Sequence, residues 1–451
     1  MVTGSRKSGE DHMLKTGKRM MAVVMTAVFL SGFALPAHAE VTLEDVLKRV
    51  EALERENAAL KAEVMEMKSK PAPAAPVVAA APAGGNFLKT GPEVTLYGFV
   101  KTDLIYSDSN AAPAAGTNSL DSVSNAPRET IATNQSSFNG SAQDTRLGLN
   151  LKAPDMDNGG KVTGKIEMDF AGSQPSATYT PRLRLAYAQL DYDKWAVNAG
   201  QQWDFFAPIN PNILNPGALY RQGNLGYRHP QSFLTNKWGD VPGGKLTTKV
   251  GVIDSDDPYQ ENSGAPVLGA YAAYDTKILG KPLTLGVGGI YGTNANGVLG
   301  TKTTNSNSIY ATTVGANLVL ADWLAFKTEG FAGAKLDDFN GNNTTGVTNT
   351  TAGNTTAKAV RSMGGFAELT YKPLKMLETN YGVGLDFGNG DQTFAERTLN
   401  WKSNRTYYTN AKYSLSKDVL VGLEYQYMET NWMDGVKGDD NRVQSSLIYK
   451  F

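Results

Sequence analysis

The segment "KVTGKIEMDF", residues 161–170, alternates polar side chains with apolar ones. Its four charged residues all fall on odd-numbered positions: Lys161, Lys165, Glu167 and Asp169. Because an extended strand sends successive side chains to opposite faces, the pattern predicts a strand with one charged and one apolar face. Such a strand fits a soluble antiparallel sheet, or a transmembrane barrel with lipid outside and water inside. The rest of the chain decides between these two environments.

The composition excludes several classes of protein. The chain has 451 residues with 47 Gly, 20 Tyr and no Cys, and its mean hydropathy of -0.33 is too polar for a bundle of membrane helices. Without cysteine there is no disulfide, thiol nucleophile or thiolate zinc site. No Walker, EF-hand or zinc-ligand spacing occurs. We therefore expect no cofactor, no metal, no nucleic-acid partner and no enzymatic activity.

The first 39 residues have the features of a secretory signal peptide. Basic residues precede the apolar run "MMAVVMTAVFLSGFAL", and "AHA" at 37–39 is a small-x-small cleavage site. The apolar run is too short for a comfortable membrane span. We therefore predict that residues 1–39 direct export and are removed.

A heptad repeat follows in residues 40–68. The a and d positions recur at alternating spacings of three and four for roughly four heptads. They are Leu43, Val46, Val50, Leu53, Asn57, Leu60, Val64 and Met67, all of them apolar except Asn57. The g and e positions carry opposite charges, which favours a parallel, in-register coiled coil of identical chains, whereas an amphipathic helix packed on its own domain would not need that pairing. The heptads do not decide between dimer and trimer. Residues 69–91 are rich in Pro and Ala and predict a semi-rigid linker.

Residues 92–451 contain strand-like segments separated alternately by short and long connectors. The short ones are "PDMDNGG", "YDK", "GDVPGG", "KILGK", "ADW", "KPLK" and "LSKD". About eight long loops and seven short turns imply about 16 antiparallel strands, one of which, within residues 224–238, is weak and is inferred partly because barrels have an even number. Ten tilted residues rise about 23 Å, which matches the apolar band of a membrane barrel. The predicted fold is an all-β transmembrane barrel preceded by an α-helical coiled coil.

The final segment "RVQSSLIYKF" predicts the strand that closes this barrel. Val443, Leu447, Tyr449 and Phe451 share one face, with Arg442 opposite. A barrel that pairs its first strand with its last needs such a complete terminal strand.

Basic residues concentrate on the predicted inner face. The third long connector, within residues 205–239, contains cations and not a single acid. A constriction of this kind concentrates anions, so we predict that the anion-selecting residues are Lys101, Arg146, Lys165, Arg182, Arg184, Arg221 and Arg228. Alternatively, these cations contact lipopolysaccharide or a neighbouring subunit, or neutralise Glu167 and Asp169.

Several motifs together resemble the DcaP-like trimeric porins of Gram-negative bacteria. They are the signal peptide, the coiled coil, the linker, "LYGFVKTDLIYSDSN", "QDTRLGLNLKA", "GQQWDFFAPINPNILNP" and the terminal Phe. The distinctive ones lie in the first half of the chain. The resemblance implies a sixteen-stranded homotrimer in the outer membrane, in contact with its lipid and lipopolysaccharide, with the coiled coil in the periplasm. It also implies uptake of small anions such as dicarboxylates, and a third loop that folds into the channel.

Two alternatives stay open. Phosphate-selective porins share the coiled coil and barrel, but Glu167 and Asp169 interrupt the basic track here. The barrel could instead be a structural anchor whose coiled coil binds peptidoglycan or a periplasmic protein.

Overall fold

A computed structural model of the chain describes residues 91–109, 112–113, 123–129, 135–172, 179–255, 265–296, 305–341, 347–351, 354–358, 360–389 and 401–451. The predicted signal peptide (1–39), the coiled coil (40–68) and all but the last residue of the linker (69–91) lie outside these ranges and stay predictions. Among the described residues, no helix has the length and apolar character needed to cross a membrane.

The described part of the chain contains 21 strands. Their bounds are β1 Glu93–Ser107, β2 Ala112–Pro113, β3 Val123–Asn125, β4 Ser137–Ser141, β5 Arg146–Lys152, β6 Lys161–Asp169, β7 Arg182–Asp191, β8 Trp195–Trp203, β9 Arg228–Val241, β10 Gly244–Ile253, β11 Val267–Ile278, β12 Lys281–Asn296, β13 Asn305–Ala321, β14 Leu324–Ala334, β15 Val347–Thr351, β16 Asn354–Lys358, β17 Arg361–Leu374, β18 Leu377–Asn389, β19 Trp401–Ser414, β20 Val419–Trp432 and β21 Lys437–Lys450.

The main sheet is a closed antiparallel barrel. Each strand pairs with the next one along the barrel, and β1 pairs with β21 over Phe99–Ser107 to close it. Strands β4 and β5 both pair with β1, at its two ends, and together form one barrel strand interrupted at residues 142–145. The remaining pairs, β2–β3 and β15–β16, are separate two-stranded sheets. The predicted sixteen-stranded barrel is thus confirmed, with an interruption that the sequence analysis did not predict.

The connectors follow the predicted alternation at all but one position. Each of the seven predicted short connectors coincides with a short turn between two consecutive strands. The weak strand predicted within residues 224–238 is β9. The expectation of eight long loops is wrong for the last one, because only residues 433–436 join β20 to β21. Gly435, at a φ of 90°, allows the chain to turn there, and the Trp432 N–H donates to the Val436 carbonyl at 2.8 Å.

Strand β6 has the two faces that its sequence predicts. Glu167 and Asp169 are buried inside the barrel, whereas Ile166 and Met168 are 40% and 37% exposed on its outer wall. The alternation therefore reflects an apolar exterior and a polar interior.

A hydrophobic core lies inside the barrel rather than between sheets. It includes Phe205, Phe206 and Leu225 from the connector between β8 and β9, and Leu336 and Phe339 from the segment after β14. These segments pack against inward-facing aromatic residues of the wall. Part of the lumen is consequently filled by loops, which narrows the channel.

Candidate functional site: a narrowed channel with a cationic cavity

The third loop, residues 204–227, is closed at its base by hydrogen bonds between its two ends. The Asp204 N–H donates to the Tyr227 carbonyl at 2.9 Å, and the Tyr227 N–H donates to Asp204 Oδ2 at 2.7 Å. The imidazole of His229, fully buried at the start of β9, lies with Nδ1 2.7 Å from Asp204 Oδ1. The loop therefore leaves the wall from a rigid base.

Carboxylates of the opposite wall hold the backbone of the third loop. Glu368 on β17 accepts the Asn212 N–H at 2.6 Å. Glu424 on β20 accepts the N–H groups of Leu214 and Asn215, at 2.6 and 2.9 Å. Both carboxylates are about 1% exposed. Charge-assisted bonds to backbone N–H groups are stronger than neutral ones, so the loop is fixed across the lumen.

Lysines of the wall complement these carboxylates by donating to carbonyl groups of the same loop. The three pairs are Lys101 Nζ to Leu214 O at 3.0 Å, Lys327 Nζ to Asn210 O at 2.9 Å and Lys412 Nζ to Asn212 O at 2.8 Å. The loop backbone is thus bound through both its donors and its acceptors.

Two wall glycines allow the loop to lie directly on the strands. A Cβ atom on Gly288 would lie 2.0 Å from the Phe206 carbonyl oxygen, and one on Gly384 would lie 2.1 Å from that of Gln222. Any larger residue at these positions would push the loop backbone away. Part of the glycine content of the strands therefore serves the loop.

A cavity of about 700 Å³ lies between the third loop and the ends of the strands that carry short turns. Of the described residues, seven Lys and Arg line it, namely Lys101, Arg146, Arg184, Lys372, Lys375, Lys412 and Lys450. The two acids in the lining are Asp144 and Glu378. The lining therefore has an excess of five formal positive charges, seven minus two.

Four charged residues of β6 and β7, three of them buried and Arg182 partly exposed, form a cluster beside this cavity. Arg182 binds Asp169 in a bidentate manner, at 3.0 and 2.7 Å. Arg184 bridges Glu167 at 2.8 Å and Asp169 at 2.6 Å. The β6–β7 register shifts between Glu167 and Met168, a bulge that leaves Arg184 without a partner residue on β6. The alternative that these arginines neutralise Glu167 and Asp169 is therefore correct for this pair of strands.

Arg146 and Lys101 line the same cavity but differ in burial and in the closeness of their ion pairs. Lys101 is buried and lies 3.1 Å from Asp103 and 2.9 Å from Asp144, so its charge is compensated. Arg146 keeps 26% of its side chain exposed, and its ion-pair distances are longer, 3.6 Å to Asp144 and 3.9 Å to Glu167. Arg146 is thus the more available of the two for a solute.

The other predicted cations lie outside the cavity lining. Arg221 is buried in the third loop at a φ of 61°, where burial lowers the pKa of its guanidinium, and its carbonyl accepts a hydrogen bond from Asn404. Arg228 is buried over the rings of Trp203 and Tyr227.

Lys165 also lies outside the cavity lining. Its ammonium lies 4.5 Å from the centre of the Tyr97 ring. Three of the seven predicted residues therefore line the cavity: Lys101, Arg146 and Arg184.

The expectation of a constriction without carboxylates is wrong. The loop itself has none between residues 205 and 227, but Glu368 and Glu424 reach it from the wall. Neither residue was among the predicted site residues, and neither were the lining cations Lys372, Lys375, Lys412 and Lys450. Glu424 could have been found, because "GLEYQYM" places it on the inner face, between outward-facing Leu423 and Tyr425.

Comparisons with known proteins show the fold. No protein-family model matches the chain, and no curated protein does. The DcaP outer membrane channel of Acinetobacter baumannii is similar in structure, with a TM-score of 0.65 at 21% identity over 80% of this chain and 98% of that one. An anion-selective porin from Comamonas acidovorans has a TM-score of 0.51 at 12% identity, over 80% and 100%. OprB of Pseudomonas putida has a TM-score of 0.50 at 12% identity, over 81% and 95%. The chain has a porin fold, so the resemblance to DcaP-like porins is confirmed for its barrel.

Proposed function

We propose that the protein is an outer-membrane porin of a Gram-negative bacterium that admits small anionic solutes, such as dicarboxylates, by passive diffusion. The proposal is supported by the cations that line the cavity beside the third loop. Lys101 and Arg184 pair with buried acids. The other five, Arg146, Lys372, Lys375, Lys412 and Lys450, outnumber their three ion-pair partners Asp144, Glu167 and Glu378. A narrow aqueous space with low-dielectric walls focuses the field of its lining charges, which raises the local concentration of anions and repels cations.

Arg146 is the residue best placed to act on a passing anion. It is partly exposed, and both of its ion-pair distances are at the long end for such contacts. A guanidinium keeps its charge at any working pH and presents a planar fork that matches a carboxylate. It can therefore replace part of a solute's hydration.

The assembly that accompanies this function is a homotrimer. The apolar outer wall supports contact with lipid and with neighbouring barrels, and the heptads of residues 40–68 support parallel association. Lipopolysaccharide at the outer surface, and peptidoglycan or a periplasmic protein at the coiled coil, are the further partners of this proposal.

Swelling of liposomes that contain the purified protein tests the proposal. Succinate and 1,4-diaminobutane both have four carbons but carry opposite charges at neutral pH. We expect faster entry of succinate, and a reduced difference in Arg146→Gln. Arg405→Gln, on the outer side of β19 and paired with Glu429, is the matched control and should behave like wild type. Liposomes without swelling in any solute would favour the structural anchor instead.

A further inference from the structure

The cavity has an apolar side at positions where a water-filled lumen would ordinarily have polar residues. Leu420 on β20 and Ile448 on β21 face inward, and they are direct cross-strand partners. Their neighbours Leu447 and Tyr449 face outward, so the inward direction of Ile448 follows from the pleat. Lipid contact therefore does not explain these two aliphatic residues.

The third loop adds apolar side chains on the facing side of the cavity. Ile213 and Leu214 both line it. Leu214 also reaches the wall beside this patch, because a Cβ atom on Gly422 would lie 2.6 Å from Leu214 Cδ1. The cavity is thus apolar on two facing sides at its β20–β21 end.

Cations adjoin the apolar patch. Ile448 pairs with Lys101 on β1. In the next inward-facing row, Phe99 pairs with Lys450 on one side and with Arg146 on the other, and the guanidinium of Arg146 lies 5.2 Å from the centre of the Phe99 ring. Charge and hydrocarbon surface therefore alternate within one cavity.

We propose that this cavity is a binding subsite for anions that carry a hydrocarbon body, specifically aromatic monocarboxylates of the size of benzoate. The carboxylate binds Arg146, and the ring packs on Leu420 and Ile448 under Leu214. This inference rests on the proposed anion channel and names a solute class for it. A volume of about 700 Å³ is ample for one such ring with water around it.

The hydrophobic contribution makes the subsite selective among anions of equal charge. Acetate has the same head group as benzoate but almost no apolar surface, so only benzoate gains from contact with the patch. Burying roughly 40 Å² of ring against Leu420 and Ile448 corresponds to about fivefold tighter binding.

Ion-current block in planar bilayers measures this selectivity. Benzoate and acetate are added to open wild-type channels at constant ionic strength, and the concentration that halves the current is compared. We expect benzoate to block at a concentration several-fold lower than acetate. The variant Leu420→Asn/Ile448→Thr should reduce that ratio about fivefold. Leu415→Asn, in an exposed turn outside the cavity lining, is the control and should keep the wild-type ratio.

The outcomes separate this inference from the proposed function. Equal block by benzoate and acetate in an anion-selective wild-type channel would overturn the subsite and leave the porin proposal intact. A cation-selective wild-type channel would overturn both. The wild-type ratio needs no substitution, so it decides the question even if the double variant fails to assemble; Ile448→Thr alone is then the second variant, and an unchanged ratio in it would also count against the subsite.

Discussion

Gly98 and Phe451 exchange two backbone hydrogen bonds, each 3.1 Å long. The N–H of each residue donates to the carbonyl of the other. The pairing of β1 with β21 begins at the adjacent residues, Phe99 and Lys450. The terminal residue is therefore part of the seam that closes the barrel, and it leaves no unpaired strand end there.

Deletion of Phe451 should impair assembly of the barrel. The deletion removes both hydrogen bonds to Gly98 and the ring that packs beside Tyr449, 6.3 Å between centres. We expect a severalfold lower yield of folded protein, measured as the fraction that changes gel mobility on heating. Phe451→Tyr keeps the backbone bonds and the ring and should assemble like wild type. An undiminished yield after the deletion would show that the seam does not need its last residue.

Glu424→Gln should loosen the third loop. The carboxylate accepts two backbone N–H groups of the loop, and an amide can accept with only one of its two terminal atoms. Bonds to a charged acceptor contribute about 1.5–3 kcal/mol each, so the loop should lose a large part of its fixation. We expect an increase in open-channel current noise without loss of folded protein.

The matched control for the loop is Glu429→Gln on the same strand. Glu429 is partly exposed and pairs with Arg405 and Asn431 rather than with the third loop. The open-channel current noise of Glu429→Gln should equal that of wild type. Equal noise in both variants would argue against Glu424 as the anchor of the loop.

Arg184→Ala should destabilise the barrel and weaken its preference for anions. The guanidinium bridges Glu167 and Asp169, which are both buried, so its removal leaves buried negative charge uncompensated. We expect a loss of about 3 kcal/mol in the free energy of unfolding, because Arg182 still pairs with Asp169. Denaturant unfolding in detergent measures it. Arg184→Lys keeps the charge but not the planar fork of the guanidinium. Its free energy of unfolding should lie between those of wild type and Arg184→Ala.

Charge reversal in the heptads should separate the coiled-coil chains. Glu56 and Glu63 occupy g positions opposite basic e positions in a parallel assembly, so Glu56→Lys/Glu63→Lys makes those contacts repulsive. The peptide of residues 40–70 should then be monomeric by sedimentation, whereas the unmodified peptide should associate. An unmodified peptide that stays monomeric at high concentration would leave residues 40–68 as a tether only.

The barrel was predictable because the alternation of polar and apolar side chains can be recognised within each strand by itself. A period of two in "KVTGKIEMDF" requires only that one face meet an apolar environment, and Ile166 and Met168 do face outward. The third loop could likewise be located by counting connectors, and the closing strand by the stripe that ends at Phe451.

The contents of the lumen were not predictable in the same way. Glu424 contacts Leu214 across 210 positions of sequence, and Glu368 contacts Asn212 across 156. Alternation indicates that such residues face inward, but not which loop atom they meet. The pairing of Arg184 depends on a bulge that no residue type in "RLRLAY" requires. Charge counted along the sequence therefore identified only three of the seven cations that line the cavity.

The reversal potential of the wild-type channel across a KCl gradient decides whether the pore selects anions. We expect the sign of an anion-selective channel. The magnitude should be smaller in Arg146→Ala, and also at higher ionic strength, because screening shortens the reach of the lining charges. A wild-type potential of the opposite sign would contradict anion selection, and would mean that Asp103, Glu167 and Asp169 outweigh the cations at the narrowest point.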